Sequence, residues 1–210
     1  MEYKWTVLTV TTVGVLMAGV DARIIIVGIP QVAAALHADA EEAIWFTQSF
    51  VLGTTLTLLL IGRITDIFGR IRVYNLGFII FTVGSALTSL SQDPLQVIIF
   101  RGIQGFGSAA LFANSVSIIV DSTPRKELGF SLGLNQIAFR FGAMAGLTIS
   151  GMILSILDWR ALFYINIPIG IFGTIWSHAR LKEVAKRERG APVDWIGFAT
   201  FTASLGSFLL

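Results

Sequence analysis

The sequence predicts an all-α polytopic membrane protein, and its composition is the first observation behind that prediction. The 210 residues are 54% hydrophobic and 13% charged, whereas soluble domains carry about 25% charged residues. Because polar side chains are too few to cover a water-exposed fold, most of the chain must be solvated by the lipid bilayer. A soluble globular domain, a disordered chain and a nucleic-acid-binding module are poor interpretations, and we expect no nucleic-acid partner.

Long apolar runs are the second observation, since about 20 such residues cross a bilayer. Six predicted spans occupy residues 5–29, 44–61, 73–90, 95–120, 128–157 and 161–177. The first run is too long for a cleaved signal peptide. Six helices are compatible with a bundle of two three-helix units of inverted topology. A seventh run starts at Trp195 and is still apolar at Leu210. Because 16 residues are short for a span, we expect a truncated chain rather than a complete half-sized protein.

The third observation is the charge of the connections, which alternates from one predicted span to the next. Eleven basic residues fall on one side and only Arg160 on the other; the eleven are Lys4, Arg63, Arg70, Arg72, Arg125, Lys126, Arg180, Lys182, Lys186, Arg187 and Arg189. Basic loops stay in the cytoplasm, so we expect a cytoplasmic N-terminus in a bacterial or archaeal plasma membrane. The predicted organisation is a six-helix bundle at 1–180, a basic cytoplasmic linker at 181–194 and the start of a seventh helix at 195–210.

Two charged residues within the spans are candidates for function. Asp21 lies about 12 Å below the outer end of the first span, and Arg101 lies about 9 Å below that of the fourth. They can share one level of the bundle and pair. Intramembrane ionisable groups usually mark a pathway, so Asp21 is a candidate to carry a proton or a substrate cation, with Arg101 tuning it. The alternative is a static buried ion pair that only fixes helix register.

Two further arginines lie within the spans. Arg140 is about 18 Å into the fifth span, too deep to reach an interface easily, which favours a place in the lining of a cavity. Arg23 points to a different face from Asp21. Two interpretations are equally favoured: Arg23 lines a cavity, or its side chain reaches outward to the membrane interface.

Small residues recur at four-residue spacing in the fourth and fifth spans. Such stripes let helix backbones approach closely, so they predict a tightly packed bundle rather than a ligand site. The predicted packing residues are Gly105, Ala109, Gly142, Gly146 and Gly151.

The segment GRITDIFGRIR at residues 62–72 resembles the signature G-x-L-x-D-x-x-G-R-K of the major facilitator superfamily, in the expected place after the second span. Its glycines allow a tight turn, and Asp66 and Arg70 can pair at i,i+4. The arginines also anchor topology. The resemblance implies a cytoplasmic gate formed by Gly62, Asp66, Gly69, Arg70, Arg72 and Asp121, and we expect Asp121 to lie near Arg70.

A second block, RGIQGFGSAA at residues 101–110, resembles the family's fourth-helix pattern R-x-x-Q-G-x-G-A-A. In that family the arginine is linked to proton transfer, which implies such a role for Arg101 beside Gln104. The segments DARIIIVGIP at 21–30, WFTQSFVL at 45–52 and DWRALFYINIPIGI at 158–171 resemble those of fourteen-helix drug:proton antiporters. The fifth-helix pattern G-x-x-x-G-P-x-x-G-G is incomplete, because Leu147 replaces its proline and Ser150 one glycine.

The resemblance implies a half of a major facilitator transporter that exports amphiphilic small molecules by alternating access, driven by the proton gradient and without a cofactor. Asp21 and Arg101 would couple protons, while Arg23, Gln104 and Arg140 would line the substrate cavity. Such a bundle needs the missing C-terminal half or a second copy as partner. The alternatives are an organic-anion or metabolite transporter, and a non-transporting membrane assembly or sensor protein. An enzyme is least favoured, since no nucleophile–base pair occurs, and the absence of cysteine argues against a metal site.

Overall fold

The computed structural model describes residues 3–183 and residues 197, 200 and 204. Every regular element in that part of the chain is an α-helix, which confirms the predicted class. The helices are α1 (Tyr3–Leu36), α2 (Ala40–Phe68), α3 (Arg70–Ser89), α4 (Pro94–Ser122), α5 (Leu128–Leu154), α6 (Ala161–Tyr164) and α7 (Asn166–Arg180). The remainder of the predicted linker and of the predicted seventh helix lies outside the described residues.

Local sequence signals explain where several helices begin. Asp39 caps α2 by accepting a hydrogen bond from the Glu42 amide at 2.8 Å, and the Glu42 side chain accepts one from the Asp39 amide at 3.0 Å. Asp93 caps α4 by accepting from the Gln96 amide at 2.9 Å, with Pro94 at the first helical position. These side chains satisfy amides that the first helical turn leaves without partners.

The helices continue beyond several of the apolar runs that predicted them. The connection expected from Pro30 is helical as far as Leu36, because Val32 and Leu36 are buried in the bundle. The connection expected from Gly62 is likewise helical as far as Phe68. Hydropathy marks the part of a helix that lipid solvates, and it does not mark where hydrogen bonding ends.

The described part contains four helices that are long and apolar enough to cross a membrane, namely α1, α3, α4 and α5. The bent helix α2 provides a fifth when its two arms are counted as one span. The sixth predicted span is divided at Ile165 into α6 and α7, and α7 has only 15 residues. A multi-pass membrane protein is therefore supported, and the exact number of six spans stays a prediction.

Helix α4 packs against α1, α2 and α3, while α5 packs mainly against α1. Helices α1 and α5 run parallel, because Leu16 meets Gly142 and Val20 meets Gly146. Helix α7 runs antiparallel to α3, with Phe78 against Gly173 and Thr82 against Gly170. These directions agree with spans that alternate across the membrane.

Close helix approach depends on three of the five predicted packing residues. A Cβ atom at Gly105 would meet the Phe50 carbonyl oxygen of α2, and one at Gly142 or Gly146 would meet backbone of α1. Ala109 is fully buried. Gly151 does not fit the prediction, because a Cβ there would meet no atom within 4 Å. The small-residue stripe runs through Ser150, which is buried, and Gly151 lies on the neighbouring, exposed face.

Candidate functional site

A fully buried ion pair lies in the middle of the bundle. The Arg101 Nη1 atom of α4 is 2.5 Å from the Asp21 Oδ2 atom of α1, and both side chains are 0% exposed. This is the contact that the estimated depths of the two residues predicted. Two buried charges carry a large desolvation penalty, so their hydrogen bonds must be nearly complete for the pair to persist.

Two amide side chains supply hydrogen bonds to this pair. Gln104 Nε2 donates to Asp21 Oδ1 at 2.9 Å, and Arg101 Nη1 donates to Gln104 Oε1 at 2.8 Å. Asn166 Nδ2, at the start of α7, donates to the same Asp21 oxygen at 2.7 Å. Both amides also lie within hydrogen-bonding distance of the Ser85 hydroxyl of α3. We call Asp21, Ser85, Arg101, Gln104 and Asn166 the Asp21 network.

The Arg101 guanidinium has further partners on α2. Its Nε donates to the Phe46 carbonyl oxygen at 3.3 Å, and its Cζ lies 4.3 Å from the centroid of the Phe50 ring, in cation–π geometry. Neither Arg101 Nη2 nor Asn166 Oδ1 has a hydrogen-bond partner in the described part. The guanidinium thus has contacts on α2 besides its pair with Asp21, and one of its nitrogens has no described partner.

The Asp21 carboxylate joins α1 to α4 and α7 directly, and Ser85 brings in α3 through the two amides. The negative charge of the carboxylate attracts Arg101 and strengthens the two amide donations. One charged group therefore contributes to how four helices hold together.

The three predicted cavity residues do not lie together. Gln104 is fully buried and belongs to the Asp21 network. Arg23 on α1 and Arg140 on α5 are exposed on the outside of the described bundle. Neither arginine forms an ion pair with a described residue.

A second polar cluster lies at the end of the bundle where α2 turns into α3. Arg70 Nη1 is 2.5 Å from Asp121 Oδ2 and donates to the Ser117 carbonyl oxygen at 3.0 Å. The Glu183 carboxylate accepts from the Arg70 amide at 3.0 Å and from the Ile71 amide at 3.3 Å. We call Arg70, Ser117, Asp121 and Glu183 the Arg70 cluster. It ties α3 to α4 and to the segment after α7.

Gly69 is the whole connection between α2 and α3. Its φ of 102° is a conformation that L side chains rarely adopt, so this glycine permits the turn. The expected pair between Asp66 and Arg70 is absent among the described ion pairs, because the turn at Gly69 places the two residues on different helices. Gly62 was expected to aid a tight turn, but it is exposed within α2 with no atom near a Cβ position. Arg72 is also exposed.

A family model described as Major Facilitator Superfamily matches residues 11–209. The chain belongs to the major facilitator superfamily. The resemblance read from the two sequence motifs is thus confirmed, and the protein belongs to a family of transporters rather than enzymes.

Relatives within the superfamily align along most of this chain. It is 32% identical over 210 residues to the riboflavin transporter RibZ of Clostridioides difficile (strain 630), covering 100% of this chain and 46% of that protein. It is 31% identical to multidrug resistance protein 3 of Bacillus subtilis (strain 168), covering 91% and 37% respectively. The chain thus spans less than half the length of these curated relatives.

Solved structures agree with this major facilitator fold. The proton:xylose symporter XylE superposes with a TM-score of 0.78 at 18% identity, over 87% of this chain and 45% of that one. A bacterial homologue of the lysosomal transporter Spinster superposes with a TM-score of 0.76 at 20% identity. At such identities the likeness concerns the fold alone.

Three residues of the two clusters were not predicted from the sequence: Ser85, Asn166 and Glu183. Asn166 carried a signal, because it is the only amide or charged side chain in the apolar run 161–177, and such residues usually face a bundle interior. Ser85 gave no signal, since serine is common in transmembrane helices. Glu183 lies 113 positions from Arg70, so no local pattern could join them.

Proposed function

We propose that this chain is one half-bundle of a proton-coupled exporter of amphiphilic small molecules, working by alternating access in a bacterial or archaeal plasma membrane. The observation that carries the proposal is the buried Asp21–Arg101 pair, which holds an ionisable group where lipid surrounds the bundle. Multidrug resistance protein 3 and RibZ, by their names, support transport of drug-like or aromatic solutes.

Asp21 is the proposed proton site and Arg101 its charge partner. When Asp21 is ionised, Arg101, Gln104 and Asn166 all donate to it. Proton binding neutralises the carboxylate and weakens these three donations, which loosens α1 from α4 and α7. Release of the proton restores them. Each cycle thus switches the bundle between a tightly and a loosely joined state.

The Arg70 cluster is the proposed cytoplasmic gate. Arg70 and Asp121 hold α3 against α4 at one end of the bundle, and their side chains are 26% and 22% exposed, so water can reach them. Alternating access needs a second bundle, supplied by a C-terminal half or by a second copy. Arg23 and Arg140 would face the cavity between the two bundles, with the proton gradient as the energy source.

The proposal is tested by finding which gradient drives transport. The full-length protein is reconstituted in proteoliposomes, and accumulation of ethidium is followed with an imposed pH gradient, with an imposed membrane potential, and with neither. The pH gradient should drive accumulation even when the membrane potential is clamped. Accumulation that ignores the pH gradient, or its absence for every amphiphile tried, would overturn the proposal.

Transport of organic anions is a second candidate, favoured by the two exposed arginines. Arg23 and Arg140 lie on membrane-spanning helices with no described acidic partner, and Asp21 is already neutralised by Arg101. Competition separates the two candidates: an anionic aromatic compound such as carboxyfluorescein should displace ethidium poorly from a cation exporter and strongly from an anion-preferring one. Loss of anion transport in Arg140→Gln would support the second candidate.

A further inference from the structure

An apolar groove opens between α2 and α3 on the outside of the bundle. Its volume is about 540 Å³, within the range of small-molecule sites. Leu60 and Ile64 form the α2 wall, Leu76 and Ile80 form the α3 wall, and Phe106 of α4 forms part of the floor. A membrane-facing groove of this kind accepts a hydrocarbon chain without exposing polar backbone.

The groove follows from how the three helices pack. Helices α2 and α3 meet at the Gly69 turn and both lie along α4, but they contact each other little. They therefore diverge from the turn and leave a wedge between them. The narrow end of the wedge is at the turn, where both spans end.

One charge stands at that narrow end. Arg72 is exposed in the first turn of α3, and it is the only charged residue among the described residues that line the groove. No described hydrogen bond or ion pair joins it to another residue. Of the acidic groups nearby, Asp121 pairs with Arg70, Glu183 accepts from the amides at the start of α3, and Asp66 of α2 forms no described ion pair with Arg72. Arg72 is left to attract an anion from outside the bundle.

The groove also has the depth of one leaflet. From Arg72 to Ile80 the helix rises about 12 Å, and one leaflet of hydrocarbon is about 15 Å thick, half of the bilayer core. A lipid whose head group pairs with Arg72 would lay one acyl chain along the groove. Basic positions between transmembrane helices bind anionic head groups in this way.

We propose that the α2–α3 groove is a binding site for an anionic phospholipid, with Arg72 as the head-group contact. The site is separate from the Asp21 network and does not depend on the transported substrate. It selects the head group by charge and the acyl chain by the apolar walls.

Native mass spectrometry of the delipidated full-length protein tests this. Phosphatidylglycerol and phosphatidylcholine are titrated separately, and bound lipids are counted. Phosphatidylglycerol should bind one tight site, and Arg72→Ala should weaken it about fivefold without changing phosphatidylcholine binding, whereas Arg72→Lys retains most of the preference. Ile64→Trp should fill the groove and abolish the site for both lipids.

Matched controls separate the site from general attraction. Arg125→Ala removes a basic residue at the same end of the bundle, and Val51→Trp adds bulk to an exposed position of α2 outside the groove; both should bind like the wild type. Glycerol phosphate without acyl chains should not compete. Equal binding of the two lipids, unchanged binding in Arg72→Ala or Ile64→Trp, or a groove closed to lipid by another helix of the full-length protein would overturn the proposal.

Discussion

Asn166 Nδ2 lies 2.7 Å from Asp21 Oδ1, joining the start of α7 to the centre of α1 across 145 positions of the chain. The same amide reaches the Ser85 hydroxyl at 2.9 Å. Helix α7 starts at Asn166, in the Asp21 network, and leads into the segment whose Glu183 belongs to the Arg70 cluster. The helix thus joins the middle of the bundle to the end where α2 turns into α3.

Asn166→Ala should impair proton-driven transport while leaving the protein folded. The change removes one of the three donors to Asp21, and a hydrogen bond to a charged group is worth enough to alter an equilibrium at least about tenfold. We expect gradient-driven uptake to fall by about that factor, with substrate exchange in the absence of a gradient less affected. Uptake in proteoliposomes at several pH values is the measurement.

Asn135→Ala is the control for that variant. Asn135 is a buried asparagine of α5 whose Oδ1 accepts from Ser115 at 3.2 Å, and it takes no part in the Asp21 network. Its loss should lower stability without changing the pH profile of uptake. If the Asn166 and Asn135 variants show the same pH profile of uptake, Asn166 has only a structural role.

Two glycines of α5 should respond oppositely to alanine. A Cβ at Gly146 would collide with the backbone of Val20, so Gly146→Ala should lower the free energy of unfolding by about 1–3 kcal/mol. Gly151 is exposed with nothing near it, so Gly151→Ala should be neutral or stabilise by up to about 1 kcal/mol. Thermal unfolding in detergent compares them. A destabilised Gly151 variant would show that a further part of the protein packs there.

Gly62 and Gly69, the two glycines of the segment 62–72, are a second pair that alanine should affect differently. Gly69→Ala forces a side chain into the backbone with φ of 102°, at a cost of about 1–3 kcal/mol, and should disturb the adjacent Arg70–Asp121 pair. Gly62→Ala places a methyl group in open space within a helix and should stabilise it by up to about 1 kcal/mol. Unfolding and transport assays on both variants check this, and identical behaviour would contradict the assigned turn.

Glu183 should protect the start of α3. Its carboxylate accepts from two amides that the helix leaves without partners, so Glu183→Ala should destabilise the helix terminus by about 0.5–2 kcal/mol. Hydrogen exchange of the Arg70 and Ile71 amides should become faster in Glu183→Ala and less so in Glu183→Gln. Unchanged exchange at both amides would show that the cap does not operate in solution.

The sequence predicted contacts of the site from how deep each residue lies in its membrane span and from the superfamily's signature. Asp21 and Arg101 could be matched because the rise per residue places both at one level. Asp121 was expected near Arg70, and the two residues form an ion pair. The first prediction uses only the length of a span and the rise per residue, whereas the second follows from the resemblance to the superfamily's signature.

Predictions failed where the backbone departed from regular helix. The i,i+4 relation between Asp66 and Arg70 holds only along one helix, and the positive φ of Gly69 ends that helix between them. Asn166 was missed, although it is the only amide or charged side chain of the apolar run 161–177, because that run was taken as one span and α7 starts within it. Gly151 lies five residues after Gly146, one position beyond the four-residue stripe that continues at Ser150, and the structure leaves it exposed.

The most direct test of proton coupling at Asp21 is gradient-driven transport by Asp21→Asn. Asparagine keeps the size of Asp21 and one acceptor oxygen, but it can neither bind nor release a proton. Because it leaves Arg101 buried without a counter-charge, at a cost of about 3–5 kcal/mol, the double variant Asp21→Asn/Arg101→Gln is measured beside it. For folded variants, uptake under an imposed pH gradient should fall to the level without a gradient, while exchange of labelled for unlabelled substrate continues. Full gradient-driven uptake by either folded variant would contradict it.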